Sequence, residues 1–285
     1  RDLELFNRLS SELSEYVNGG RRLPGLADSA VKEVFVRQLI DSVKRVKYAL
    51  TLSNRAVGQV RSDPSSDLFD PLKAAVYHMK NGNLDEAVWL VFLATHFGKS
   101  KDSRWLLVGD FYLGAPGHNV FSWERVSNSL SDHQEFINNL YYALDQKVPR
   151  RKFSNHRKYE SLRPNSKRSL YKVISSYRDF IANYGDHRKL FDFVICGGCK
   201  YKSFETFYAL MGNVLSFGRT ARFDFLTMLG KLKILDIEPQ KTYMVGATGP
   251  LRGAKLLYGM SKSSAKFECD LFELSLTLSI NPFGM

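Results

Sequence analysis

Val245-Gly246-Ala247-Thr248-Gly249-Pro250-Leu251-Arg252-Gly253-Ala254, followed by Cys269-Asp270-Leu271-Phe272-Glu273-Leu274, is the stretch from which a fold can be read. Residues 242–245 read as the end of a short helix. Two glycines and a proline in the next five positions favour a tight turn over a continued helix. Leu251 to Tyr258 resume helical character, and Ala254 is small enough to let another helix approach closely. A glycine-rich turn beside a helix N-terminus offers backbone N–H groups to a phosphate. Gly246, Thr248, Gly249, Arg252, Gly253 and Lys255 are therefore the expected contacts to a nucleic-acid backbone. After a polar linker at 261–266, Asp270 is expected to open an apolar helix with Leu271, Phe272, Leu274, Leu276, Leu278 and Ile280. An aspartate there has an ordinary role as N-cap. The positive end of a helix also favours an ionised carboxylate.

Working outward, helix signals recur and strand-like alternation is sparse. Asp70-Pro71 reads as an N-cap with proline at the first helical position, and Gly82 closes that segment. Asn83 with Glu86 makes a capping-box-like start for an apolar segment ending near Phe97. Ser131 with Gln134 repeats the device ahead of Phe136, Leu140, Tyr141 and Leu144. Leu170, Val173, Ile174, Tyr177, Phe180 and Ile181 follow helical spacing, with Gly185 as a stop. Segments led by Ser203 and Thr220 continue the pattern, while Phe191 to Ile195 cannot be assigned by periodicity. The expected architecture is all-α and bilobal. An N-terminal helical lobe covers about 1–147, a basic connector 148–168 and a C-terminal lobe 169–285.

The net charge of +12 favours a polyanionic partner, because each Lys or Arg set against a phosphate releases a condensed counterion. An anionic membrane surface would attract the same charge. The longest apolar run, Ala87 to Ala94, is far shorter than a bilayer requires, and no stretch reads as a signal peptide. Neither membrane insertion nor a membrane partner is expected. Three cysteines do not make a disulfide framework, so a reducing cytoplasm is the expected compartment. Cys196-Gly197-Gly198-Cys199 is one CxxC without a second pair, so no metal and no cofactor are expected.

The connector carries Arg150, Arg151, Lys152, Arg157, Lys158, Arg163, Lys167 and Arg168 against one acid, Glu160. Phe153, His156 and Tyr159 are interleaved with these charges. A solvated basic loop is the ordinary reading of such a run. With aromatics among the cations, phosphate contact or recognition of a bulky base is the functional one. Arg150, Arg151, Lys152, Arg157 and Lys158 are the expected phosphate contacts, and Tyr159 a pocket residue.

The hairpin and Asp270 together resemble the helix-hairpin-helix DNA glycosylases. In that superfamily an alanine on the second hairpin helix precedes a catalytic aspartate by about sixteen residues, and Ala254 to Asp270 has that spacing. The resemblance implies Asp270 as the catalytic carboxylate and two helical lobes around a DNA-binding cleft. Leu271 and Phe272 replace the superfamily's threonine and histidine, and the hairpin carries an extra residue. The lysine of lyase-type members falls on Arg252, whose guanidinium cannot form a Schiff base, so an abasic product without strand cleavage is implied.

Asp85 to Lys99 resembles the superfamily's early helix. By that likeness His96, Phe97 and Lys99 would fill the gap left by a flipped base. This segment, Ser216 to Leu226 and Val245 to Ala254 are similar to the alpha-glutamyl/putrescinyl thymine pyrophosphorylase clade 3 family. That resemblance covers the chain from about residue 70 onward. It implies a link to hypermodified phage bases, such as glucosylated hydroxymethylcytosine, and a defence role. The implied partner is duplex DNA carrying modified bases, bound by a monomer. Two other readings stand beside it. One is a helix-hairpin-helix DNA-binding protein without chemistry; the other is a base-modifying transferase, for which no Walker-type phosphate loop is present.

Overall fold

The computed structural model describes residues 2–114, 120–195 and 197–280, and these form helices with no β-strand among them. The fold is all-α, as the caps and spacings predict. The chain divides into two compact units, Arg1–Thr51 with Pro239–Met285, and Leu52–Glu238. The first unit therefore joins the two ends of the sequence. The basic stretch 148–168 lies inside the second unit, away from both of its boundaries in sequence.

The first unit contains α1 (Asp2–Glu15), most of α2 (Ser29–Asn54), α12 (Thr248–Tyr258) and α13 (Ser264–Thr277). Leu9 and Leu13 of α1, Val36 and Ile40 of α2, Ala254 and Leu257 of α12, and Phe267 and Leu274 of α13 share one core. A 3-10 turn, Pro24–Leu26, packs on the end of α12. A Cβ on Gly25 would fall 2.2 Å from the Leu256 carbonyl oxygen and 2.7 Å from the Leu257 Cα, so backbone meets backbone there. Gly25→Ala should cost about 3 kcal/mol in denaturant unfolding of this unit, because no side chain can move aside. Gly253→Ala, whose Cβ would point into open space within α12, should instead raise stability by about 0.5–1 kcal/mol.

The second unit is built around α4 (Leu84–Phe97), buried from Glu86 to Phe97. A helix apolar all round is a central helix. It packs against α3 (Pro71–Lys80), α5 (Leu106–Leu113), α6 (Trp123–Ser129), α9 (His187–Val194) and α11 (Arg219–Lys231). The remaining helices of this unit are α7 (Gln134–Asp145), α8 (Leu170–Ala182) and α10 (Lys200–Leu210). Asp70 caps α3 as expected, accepting from the Leu72 and Lys73 amides. Asn83 accepts from the Glu86 amide, 3.1 Å. The Ser131–Gln134 box does not form: residues 130–133 make a 3-10 turn and α7 starts at Gln134 without a side-chain cap. Phe191 to Val194, unassigned by periodicity, closes α9.

Two buried polar groups on and beside α4, Glu86 and His187, are paired. Glu86 accepts from the Tyr112 hydroxyl (2.6 Å) and the Trp123 amide (2.8 Å), and burial still pushes its carboxyl up. His187 bridges Asp85 (2.6 Å) and the Tyr177 hydroxyl (2.8 Å). Burial lowers the pKa of His78, His96 and His187, that of His96 to about 3. Above pH 6.5 neither folded nor unfolded chain protonates these rings, and their neutral packing stabilises the fold in full. As pH falls below 6.5 the unfolded chain takes up protons first, so the contribution of each ring is lost, and for His96 the loss is about 1.4 kcal/mol per pH unit. For His96 that loss continues down to about pH 3. Unfolding free energy measured in urea should therefore fall steeply from pH 6.5 to 4.5. His96→Phe should flatten that slope by one proton.

Candidate catalytic and nucleic-acid site

Asp270 does not open a helix. Ser263 is the N-cap of α13, accepting from the Lys266 amide, and Asp270 lies halfway along the helix. Phe267, Asp270, Leu274 and Leu278 follow one helical stripe, and all four are buried. An ionisable group on a core-facing stripe must be paired. Asp270 is 1% exposed; Lys262 donates to Oδ2 at 2.6 Å, Lys266 approaches Oδ1 at 3.3 Å, and the Asn18 amide donates to Oδ1 at 3.4 Å. Lys262 also donates to the Asn18 side-chain amide oxygen Oδ1 (3.2 Å) and sits 5.1 Å from the Tyr258 ring centre. Burial pushes the Asp270 carboxyl up, but the bonds from Lys262, Asn18 and Lys266 outweigh it and hold it below the usual range. Burial raises the Tyr16 and Tyr258 hydroxyls, and the Asp270 charge adds to both shifts. The result is an ionised carboxylate under a lysine.

The hairpin departs from expectation on its first side. Residues 242–244 are irregular rather than helical, held by Glu268, which accepts from the Met244 amide at 2.6 Å and the Thr242 hydroxyl at 3.4 Å. A turn at 245–246, with Gly246 at φ +73°, leads into α12. Gly249 and Pro250 lie in the first turn of α12, not in the loop, and proline is tolerated there because that turn's N–H groups have no intrahelical acceptor. Ala247 at the N-cap supplies no side-chain acceptor. Gly246, Thr248, Gly249, Arg252, Gly253 and Lys255 are all exposed, and a Cβ on any of the three glycines would meet nothing. These residues share the first unit with Asp270.

His96 and Phe97 are internal, 2% and 0% exposed, and do not project beyond α4. The last carbonyls of a buried helix need partners from the chain, since water cannot reach them. Ser154 N–H donates to the Phe97 carbonyl (3.0 Å), and Arg157 Nε to the Thr95 carbonyl (2.7 Å). Gly98 permits this approach, as a Cβ there would fall 2.1 Å from the Ser154 Oγ. Arg157, 8% exposed, also reaches the Asp224 carboxylate at 2.9 Å. Arg151 is likewise turned inward, paired with Asp110. Both are corrections to the reading of these arginines as phosphate contacts, for their donors are used inside the unit. Arg150, Lys152 and Lys158 do face solvent; Arg150 pairs with Asp145 (3.2 Å), Lys152 with Asp102 (3.8 Å), and Lys158 lies over the exposed Tyr159 ring. Lys99 is exposed, 5.6 Å from the Trp105 ring centre.

Sequence reasoning missed Asn18, Lys262 and Lys266. The signal that could have found them is Ser263 with Phe267, a cap and the first core residue of a helix that starts before Asp270. Cys196 lies outside the described residues; Cys199 and Cys269 are free and exposed. Among the described residues no group of three or more His, Cys, Asp and Glu is arranged to hold a metal, and no helix is long and apolar enough to cross a membrane.

Residues 30–281 match the family described as alpha-glutamyl/putrescinyl thymine pyrophosphorylase clade 3. The chain belongs to that family. No curated protein and no solved structure matches it.

Proposed function

We propose that the protein is a monofunctional DNA glycosylase acting on hypermodified bases, and that it serves in defence against phages whose DNA carries them. The observation that carries this reading is the ionised Asp270, held in the same unit as the exposed, glycine-rich and basic start of α12. Family membership ties the chain to hypermodified thymines, and glucosylated hydroxymethylcytosine is proposed as a second bulky base of the same kind. Thr248 and Gly249 amides with Arg252 and Lys255 hold the DNA backbone. A DNA phosphate then draws Lys262 away and uncovers Asp270. As the C1′–N bond breaks, the base leaves with the bonding pair and takes a proton from solvent. The carboxylate stabilises the cationic sugar and orients the water whose oxygen bonds to C1′ as its surplus proton passes to solvent. Arg252 cannot form an imine, and an ammonium engaged in an ion pair has no lone pair to offer, so strand cleavage does not follow.

The test is incubation of the protein with DNA from modified and unmodified phages. Alkali-labile sites should appear in modified DNA only, with strands intact before alkali. Their absence from every modified DNA would refute the activity. A second reading, a DNA-binding protein without chemistry, is favoured by one observation: Asp270 is 1% exposed and paired with two lysines, as a structural ion pair would be. Retarded mobility of duplex DNA without any base loss would establish it.

A further inference from the structure

The second unit holds a cavity of about 330 Å³ between the segment ahead of α3 and the loop entering α5, at the small end of the range for ligand sites. Trp105 forms part of its wall. Its indole Nε1 donates to the Asp70 carboxylate at 3.2 Å, and because Asp70 also caps α3, the ring is anchored to a helix start. Lys99 stands 5.6 Å from the indole centre. Arg104, a third lining residue, has φ +51°, a backbone conformation costly for a residue with a Cβ. Reciprocal backbone hydrogen bonds with Ser100, 3.0 and 3.1 Å, keep it there. Strain of this kind collects at functional sites.

The charges around the cavity are unequal in availability. Asp70 is committed to Trp105 and the α3 amides, and Asp110 to Lys147 and Arg151. Arg61 spends one nitrogen on the Leu68 carbonyl at 3.3 Å. Among the described residues the exposed Arg104 guanidinium makes no ion pair and Lys99 engages only the indole face. Asp67 is the remaining acid, exposed at the rim. A flat aromatic face with guanidinium and ammonium groups beside it suits a base joined to a phosphate.

We propose that this cavity binds a single nucleotide, its base against Trp105 and its phosphate on Arg104, Lys99 and Arg61. The site lies in the other unit from Asp270, so it stands or falls independently of the glycosylase reading. The nucleotide can be free or part of a DNA strand, and the probes separate these sources. Calorimetric titration would use thymidine monophosphate, thymidine and a short oligothymidylate, since the family description names thymine. Arg104→Gly keeps the backbone unstrained while deleting the guanidinium, and melting temperature checks the fold. At least one phosphate-bearing probe should bind saturably, with Arg104→Gly and Lys99→Ala each weakening it about tenfold. Trp105→Phe should remove the accompanying fluorescence change. Binding of the monophosphate marks a free nucleotide, and binding of the oligomer alone marks a strand. The proposal is overturned if no phosphate-bearing probe saturates below about 5 mM. It is also overturned if both charge deletions bind as the parent does, or if thymidine binds as tightly as its monophosphate.

Discussion

Asp270→Asn is expected to reduce base release from modified DNA by about a thousandfold, the size of effect seen when a group that stabilises transition-state charge is removed. DNA affinity should survive, because the residues assigned to backbone contact, from Gly246 to Lys255, are untouched. The same substitution has a structural consequence that must be separated from the chemical one. It leaves Lys262, 17% exposed at the side chain, without its carboxylate, and this should cost about 2 kcal/mol. Lys266, 61% exposed, adds little. The double variant Asp270→Asn with Lys262→Met removes the orphaned ammonium and should recover most of that stability. If Asp270 acts on the sugar, the double variant stays inactive although it is well folded. If Asp270 is only a structural partner of Lys262, base release returns with stability.

Arg157→Ala is expected to act on the fold instead of on DNA binding, lowering unfolding free energy by about 3 kcal/mol. It would strip the Thr95 carbonyl and Asp224 of one shared partner. Arg157→Lys should recover little, since one ammonium cannot span both acceptors as the guanidinium fork does. Lys158→Ala, one residue along, should leave the melting temperature unchanged. Its effect should appear as weaker DNA binding, with the salt dependence reduced by about one ion. Equal effects of the two substitutions on DNA affinity would contradict the burial of Arg157.

These two residues also show where sequence reading succeeds and where it stops. The caps at Asp70 and Asn83 are local, and so is the apolar character of α4; each was legible because its cause lies within a few residues. The direction of Arg157 depends on a carbonyl and a carboxylate each more than sixty positions away, and nothing in a basic run distinguishes it from Lys158. His96 and Phe97 are similar: a helix end looks free until Ser154 and Arg157 are known to seal it. Asp270 was found as a residue of interest by its spacing from Ala254, but its setting was misread. The polar stretch 261–266 contains the cap and first turn of α13, and Phe267, fully buried, marks the start of the stripe on which Asp270 lies.

That setting gives the central claim its sharpest test. Mass spectrometry of the small molecules released when the purified protein meets DNA from differently modified phages measures the proposed reaction without relying on any one lesion assay. A free modified base should appear in step with abasic sites, from at least one hypermodified DNA and not from unmodified DNA, and the Asp270→Asn variant should release about a thousandfold less. Tight binding to the same DNAs with no base released, or release undiminished in Asp270→Asn, would contradict the account.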